Sequence, residues 1–227
     1  MQAFSATFGS RIPAVLAMQG AGAMPRAAEE PLPGVVRRFA RDEELFAEGD
    51  ACSVFYKVVS GTVRTGKLLV DGRRQIDSFH LTGDVFGLES GGHHRSTAEA
   101  VDDVVVIAYR RSNLACLVHD HPALGEQLIS SMLTSLDRAH EHIILLGRKT
   151  ALEKMASFLL DMARRRPDAD RVVLPMQRTD IADHLGLTIE TVSRTLTQMV
   201  RDGLIRLSEA GRTVVLADKT RLQVLDT

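Results

Sequence analysis

The sequence predicts an α+β fold with three parts in order: an antiparallel β domain, one long amphipathic helix, and a small helical unit that ends in a β hairpin. Turn signals recur about every 8–12 residues over 35–110, which is typical of a compact antiparallel β domain. Apolar residues then recur at steps of three or four over 121–166. Two further helical patterns, separated by a glycine, lie at about 178–202.

The β domain is expected over 35–120, and a β roll fits its pattern best. Its turn signals are "EGD", "SG" at 60–61, "DG" at 71–72, "TGD" at 82–84 and "SGGHH". The runs between them, such as "VFYKVV" and "VVVIAY", are rich in β-branched residues. Asp71-Gly72 is the strongest hairpin signal, because glycine tolerates the positive φ of a tight turn.

A long helix is predicted over 121–147, with an apolar stripe on one face. The stripe consists of Leu128, Met132, Leu136, Ala139, Ile143 and Leu146. From Ala123 to Leu146 the helix would measure about 36 Å, which is longer than a small β domain can cover. We therefore expect the stripe to be the interface of a symmetric homodimer. The alternative is packing against the chain's own second domain.

The C-terminal part, 148–227, predicts a winged helix-turn-helix. The patterns "RTDIADHL" and "TIETVSRTLTQMVRDG" flank Gly186, and their apolar positions would bury one face of each helix against the other. After Gly203, "LIRL" and "TVVLA" indicate a β hairpin, which would be the wing. A helical hairpin with no role in nucleic-acid binding is the alternative, and the wing disfavours it.

Charge is distributed unevenly along the chain, although the formal net charge is only −1. Residues 1–147 contain 14 basic and 18 acidic side chains, whereas residues 148–227 contain 14 basic and 11 acidic ones. The C-terminal part is therefore the expected partner of a polyanion such as DNA.

Other classes of protein find little support. Cys52 and Cys116 do not have the spacing of a metal-binding motif. The five histidines between 80 and 121 do not fit a standard metal-site template either. We therefore expect no metal and no cofactor. No catalytic motif occurs in a plausible context, so no enzyme is expected. The chain has no apolar run of about 18 residues, so we expect a soluble, cytoplasmic protein with no membrane contact. Residues 1–34 are predicted to be a flexible Ala/Gly/Pro-rich leader, and a signal peptide is the less favoured alternative.

The order of these parts resembles the cyclic-AMP receptor protein and FNR superfamily of bacterial transcription factors. The segments "GDVFGLESG", "STAEAV" and "LPMQRTDIADHLGLTIETVSRTL" are most similar to its FixK-type branch, and the resemblance covers roughly 35–220. It implies a β roll like a cyclic-nucleotide-binding domain, a homodimer that binds TTGA-N6-TCAA-like DNA, and contact with RNA polymerase. It also implies activation of microaerobic, denitrification or nitrogen-fixation genes below an oxygen-responsive two-component system.

The resemblance assigns base readout to Glu190, Ser193 and Arg194 on the second helix of the motif. Chemistry supports these roles, because arginine can donate two hydrogen bonds to guanine and glutamate can accept one from cytosine. At i and i+4 both side chains would reach one groove. The competing interpretation is an exposed salt bridge between Glu190 and Arg194, worth about 0.3–0.5 kcal/mol.

Phosphate contacts are expected from residues that flank the reading helix. Arg178 begins the first helix, Thr188 begins the second, and Arg212 lies in the wing. These positions match backbone-contacting sites of the superfamily, and helix N-termini attract phosphate. Each side chain could instead be only a cap or a solvated charge.

The β domain departs from the superfamily's ligand-binding patterns. Leu88 follows Gly87 where the cyclic-AMP branch has glutamate, and Glu89 comes one place late. Arg95 is one position out of register with the phosphate-binding arginine, and one step along a strand turns a side chain to the other face. Two cysteines are too few for an FNR-type iron–sulfur cluster. We therefore expect no obligatory effector, with gating by a cyclic nucleotide or haem as the alternative.

Overall fold

The computed structural model describes residues 34–166, 170–208 and 211–226. The leader predicted over residues 1–34 therefore lies outside the described residues, except for Gly34.

The N-terminal domain is a β roll of two antiparallel four-stranded sheets. Its strands are β1 (Val35–Phe39), β2 (Glu44–Phe46), β3 (Val54–Ser60), β4 (Val63–Leu68), β5 (Arg74–His80), β6 (Val85–Phe86), β7 (Thr97–Ala100) and β8 (Val104–Arg110). The sheet orders are β1-β8-β3-β6 and β2-β7-β4-β5. Inward-facing side chains of both sheets, including Phe46, Val63 and Val106, form one core.

The β4–β5 hairpin turns at Asp71-Gly72, which confirms that prediction. Leu68 pairs with Arg74 at the end of the ladder. Gly72 adopts a φ of 84°, which is the left-handed region that favours glycine. The Asp71 carboxylate accepts a hydrogen bond from the Arg73 backbone N–H at 3.1 Å, so the aspartate closes the turn.

Three helices follow the β roll: α1 (Leu114–Asp120), α2 (Pro122–Arg148) and α3 (Ala151–Arg164). Pro122 occupies the first turn of α2, where its missing N–H costs nothing. With 27 residues, α2 is about 40 Å long. A capping box between Thr150 and Glu153 begins α3.

The C-terminal domain contains a helix pair and a small antiparallel sheet. Its elements are β9 (Arg171–Val173), α4 (Arg178–Leu185), α5 (Ile189–Arg201), β10 (Ile205–Leu207), β11 (Thr213–Leu216) and α6 (Lys219–Asp226), and its sheet order is β10-β11-β9. The hairpin β10–β11 is the wing. The sequence patterns do not indicate α6.

One continuous apolar core joins the C-terminal domain to the β roll. Ile76 and Phe79 of β5 belong to the same buried cluster as Leu159 of α3 and Ile181 of α4. The two parts of the chain therefore share a packed interface. The α+β class, with a β roll, a long helix and a winged helix-turn-helix, is confirmed.

Candidate nucleic-acid interface and dimer surface

The turn between α4 and α5 is set by two residues of the sequence. Gly186 ends α4 with a φ of 61°, and its N–H donates to the Ala182 carbonyl. Thr188 begins α5 by accepting a hydrogen bond from the Thr191 backbone N–H at 3.2 Å. These are the local devices that allow two helices to cross closely.

The helix α5 has one buried and one exposed face. Val192, Leu196 and Met199 are buried against the domain core. Glu190 and Arg194 lie on the exposed face, and Ser193 is half-buried beside them. The structure therefore places the three predicted base-reading residues together on the accessible part of α5.

Glu190 and Arg194 are joined through the backbone rather than by a salt bridge. Arg194 Nε donates to the Glu190 carbonyl oxygen at 3.3 Å. No ion pair joins the two side chains in the described part of the chain. Hydrogen bonds from the backbone N–H of Glu190 and from the Thr188 side chain hold the pKa of the Glu190 carboxyl below its usual value. An ionised acceptor and a cationic donor thus stand one turn apart.

Arg178 connects the start of α4 to α5 and the wing. Its Nη1 donates to the Ser193 hydroxyl at 3.1 Å. Its Nη2 lies near the wing turn, 3.4 Å from where a Cβ on Gly211 would be. Sequence reasoning misses this connection, which links a predicted phosphate contact to a predicted base contact.

The other two predicted phosphate contacts, Thr188 and Arg212, are also exposed. The Thr188 hydroxyl already serves as the cap of α5, so any phosphate contact must be shared with that role. Arg212 lies beside Gly211 in the wing, and its carbonyl accepts from the Leu174 N–H at 2.8 Å. The wing backbone is thereby fixed while the arginine side chain faces outwards.

The predicted dimer stripe on α2 is partly rearranged. Leu128 is only 4% exposed and Leu146 packs on the shared core, so both contact their own protomer. Ile129, which the prediction omits, is 60% exposed. The exposed apolar residues at helical spacing, called the exposed stripe, are Ile129, Met132, Leu136, Ala139 and Ile143, and Leu133 and Ile144 are exposed to one side of them. Alternating steps of three and four are the spacing typical of a and d positions in coiled coils, and that spacing could have identified Ile129.

Several aromatic rings stack on one another in the interior of the β roll. Phe46 stacks on His94 with ring centroids 3.6 Å apart and on Tyr56 at 5.9 Å. Phe86 stacks on Tyr56 at 5.4 Å. These rings occupy space between the two sheets.

Glu89 and Arg95, the two residues similar to cyclic-nucleotide-binding residues of the superfamily, make other contacts. Glu89 accepts from the Arg95 backbone N–H at 2.8 Å and contacts His94 Nδ1 at 3.0 Å. The Arg95 side chain is 80% exposed. Arg95 therefore points to solvent rather than into the roll.

Other candidate sites take no recognisable form within the described residues. Cys52 is buried and donates to the Gly87 carbonyl, whereas Cys116 is exposed. No three His, Cys, Asp or Glu side chains in this part of the chain come together as a metal site. None of the described helices is both long and apolar enough to cross a membrane.

Comparison with known proteins agrees with this architecture. The Crp-like helix-turn-helix domain matches residues 153–225, and the cyclic nucleotide-binding domain matches residues 36–121. The nitrogen fixation regulation protein FixK of Azorhizobium caulinodans is 47% identical over 194 residues, which are 83% of this chain and 78% of the relative. FixK of Rhizobium meliloti is 39% identical, with 85% and 88% of the two chains covered.

Among solved structures, FixK2 from Bradyrhizobium japonicum superimposes with a TM-score of 0.79 at 46% identity, covering 86% of this chain and 98% of that one. Relatives of this similarity are transcription regulators and not enzymes. With its winged helix-turn-helix and β roll, the chain belongs to the FixK-type branch of the cyclic-AMP receptor protein and FNR superfamily and is a DNA-binding transcription regulator.

Proposed function

We propose that this regulator binds TTGA-N6-TCAA-like palindromes as a homodimer and needs no small-molecule effector. The observation that carries the proposal is the exposed face of α5, where Glu190 and Arg194 present an acceptor and a donor to one groove. The four-base half-sites are centred ten base pairs apart, which is about one turn of DNA. Two reading helices related by a dimer axis suit that spacing.

The exposed apolar stripe of α2 supports the homodimer. Its five residues cover about 21 Å from Ile129 to Ile143, at 1.5 Å per residue. An apolar stripe of this kind is unfavourable in water and is typical of a surface that another molecule covers. A second copy of α2 supplies the matching a and d positions.

The contents of the β roll support independence from an effector. The rings of Phe46, His94 and Tyr56 are stacked on one another inside the roll, and the exposed Arg95 side chain would have to turn inwards to meet the phosphate of a nucleotide bound there. In this proposal the protein reaches its DNA-binding state by folding and dimerising.

The biological role follows from the FixK-type relatives. We infer an activator in the cytoplasm that contacts RNA polymerase and switches on microaerobic, denitrification or nitrogen-fixation genes. The names of two relatives refer to nitrogen fixation.

Fluorescence anisotropy with a labelled TTGA-N6-TCAA duplex tests the biochemical part. The purified protein should bind it tightly without additive, and cyclic AMP should not change the affinity. A duplex with both half-sites scrambled is the control. Binding that requires cyclic AMP would instead support a nucleotide-gated regulator, and equal binding to the scrambled duplex would exclude sequence-specific recognition.

A further inference from the structure

Both ends of α4 are attached to other parts of the protein by polar contacts. Near the N-terminal end, Asp180 meets Arg64 and Arg74 of the β roll, and further along the helix Asp183 also meets Arg74. At the C-terminal end, buried Lys154 of α3 donates to the Leu185 carbonyl at 3.0 Å, and Gln75 of β5 donates to the His184 carbonyl at 3.3 Å. The first helix of the DNA-binding motif is therefore held against its neighbours at two points.

Asp180 is the centre of the N-terminal attachment. Its side chain is 4% exposed, and its Oδ1 accepts from Arg64 Nη1 at 3.2 Å and from Arg74 Nη2 at 2.5 Å. Its Oδ2 accepts from the Gln177 backbone N–H at 3.0 Å. One buried carboxylate thus caps α4 and receives two guanidinium groups from the β roll.

The two arginines are themselves fixed from several sides. Arg64 Nε donates to Glu99 at 2.9 Å, and its Nη2 contacts Asp42 at 3.2 Å. Arg74 Nε donates to Asp183 at 2.8 Å. Burial alone would lower the pKa of the Arg64 guanidinium, but its hydrogen bond to Glu99 and the surrounding carboxylates raise it instead. Arg64 therefore stays charged, and the forked shape of both guanidinium groups fixes the direction as well as the distance of their contacts.

We propose that Arg64 and Arg74 are positioning residues for DNA binding, which hold α4 through Asp180 and Asp183 and thereby set the spacing of half-sites that the dimer accepts. This inference rests on the proposed palindrome. In the proposed dimer the α2 helices define the axis, the β roll leads through α1 into α2, and α5 follows α4 after a short turn. The orientation of α4 on the β roll therefore determines where the two α5 helices stand relative to each other.

We call the two arginines and two aspartates the clamp. The effect of breaking the clamp shows whether it positions α5 or only stabilises the fold. If it only stabilises the fold, breaking it lowers the melting temperature and leaves the preference for one spacer intact. If it positions α5, breaking it weakens binding to the preferred palindrome. The protein also becomes less selective between spacer lengths, because each DNA-binding domain still recognises its own half-site.

Suitable variants keep the buried charges compensated. Arg64→Lys retains the positive charge but loses the fork, and Arg74→Ala leaves Arg64 to neutralise Asp180. Arg73→Ala is the matched control, since Arg73 lies in the same hairpin and its ion pair with Asp71 stays within that hairpin. Melting temperatures of all three variants show that the tested proteins are folded.

Each protein is titrated with palindromes whose spacer has six base pairs, one fewer or one more, and with a duplex that carries a single half-site. For Arg74→Ala we expect binding to the six-base-pair palindrome to weaken about tenfold, or 1.4 kcal/mol at 25 °C. Binding to the single half-site should change little, and Arg64→Lys should behave similarly. Arg73→Ala should match the parent. Equal losses on every duplex, or no loss, would overturn the proposal.

A second measurement decides the clamp without DNA. Spin labels on Gln198→Cys in a Cys116→Ser background report the distance between the two α5 helices of a dimer, since Cys52 is buried. Arg74→Ala should broaden the distance distribution, and Arg73→Ala should not. If the parent protein binds no palindrome, the proposed function fails. The distance distribution still shows whether the clamp fixes the positions of the two DNA-binding domains. An unbroadened distribution refutes the clamp alone.

Discussion

Arg178 Nη1 donates a hydrogen bond of 3.1 Å to the hydroxyl of Ser193, which ties the first residue of α4 to the exposed face of α5. The same guanidinium lies near Gly211 in the wing. Because the Ser193 oxygen accepts from Arg178, its hydroxyl proton remains available for an acceptor on DNA. The hydrogen bond holds a cation beside the recognition helix before DNA arrives, which reduces the entropy cost of binding.

Replacing Arg178 tests its contact with the DNA backbone. Arg178→Ala should weaken binding to palindromic and random DNA alike, because phosphates carry no sequence information. Titrations at several salt concentrations should show the salt slope reduced by about 0.9 for each phosphate that the protein no longer neutralises. Arg178→Lys keeps the charge and should keep the slope. A parent-like slope for Arg178→Ala would mean that this arginine does not touch a phosphate, and Arg212→Ala tests the wing in the same way.

Replacing Arg194 tests base readout. If Arg194 donates two hydrogen bonds to guanine, Arg194→Ala should cost about 1–3 kcal/mol per half-site on the consensus and much less on a site that already lacks that guanine. Glu190→Ala should likewise lose discrimination at the cytosine it accepts from. Arg201→Ala, an exposed arginine at the end of the same helix, is the control.

A panel of half-site variants titrated against these proteins separates readout from a surface ion pair. Base readout predicts that the effects of protein and DNA changes are not additive. A surface pair predicts small, equal losses on every duplex and a slight fall in thermal stability. The second pattern would refute base readout by Glu190 and Arg194.

The regular elements of this fold follow from local patterns. In α5 the apolar residues Val192 and Leu196 face the core, and the charged residues Glu190 and Arg194 face solvent, as helical spacing requires. Glycine at 186 indicates the turn because few other residues adopt a positive φ readily. Such features depend on residues close together in the chain.

The interior side of α2 depends on its neighbours and could not be assigned from the stripe alone. Leu128 and Ile129 are adjacent, both apolar, and about 100° apart around the helix. Which one turns inwards is decided by the elements that pack against α2. Leu128 meets the protomer's own interior, and Ile129 is left on the surface.

Contacts between residues far apart in the chain could not be predicted from the sequence either, because they also depend on how the elements pack. Arg64 and Arg74 lie 116 and 106 positions from Asp180 along the chain. In a strand with polar neighbours each arginine looks like an ordinary solvated charge. Only the packing of α4 on β5 brings these groups together and buries the carboxylate.

The dimer surface can be tested with two substitutions on the exposed stripe. Leu136→Glu with Ile143→Glu would place four like charges along the seam of a paired α2, so we expect monomers by light scattering. Because binding of both half-sites requires two DNA-binding domains in one dimer, the affinity for the palindrome should fall to that for a single half-site.

Ile144→Glu is the matched control for the dimer test. Ile144 is 58% exposed, close to the 67% of Ile143, but it points about 100° away around the helix. This variant should remain dimeric. An unchanged dimer in the double variant would place the interface elsewhere.

Stability should depend on pH through histidines at the junction of β5, α2 and α4. His184 stacks on His142 with ring centroids 4.3 Å apart, and its Nδ1 lies 3.1 Å from the Ile76 carbonyl. Desolvation, with the nearby charges of His142 and Arg165, lowers the pKa of His184 to about 3. Desolvation also lowers the pKa of His80 to about 4, against the opposing effect of Asp84.

Because both folded-state pKa values lie below the ordinary value of 6.5, the unfolded chain binds more protons once the pH falls below about 6.5. The contribution of the two histidines to stability is therefore fully present above about pH 7. It is lost as the pH falls towards their folded-state pKa values. Between pH 7 and pH 5 each of the two histidines should remove about 2 kcal/mol from the free energy of unfolding. Urea unfolding at several pH values measures this change.

His184→Asn isolates one of the two contributions. The asparagine amide can still donate to the Ile76 carbonyl but does not titrate, so the variant should lose about 2 kcal/mol less than the parent between pH 7 and pH 5. At pH 8, where His184 is neutral in both states, the difference between variant and parent reports the altered packing against His142, Phe79 and Phe158. A pH dependence identical to the parent's would show that His184 is not held neutral in the folded protein, and that the junction of the DNA-binding domain with the β roll tolerates a charge there.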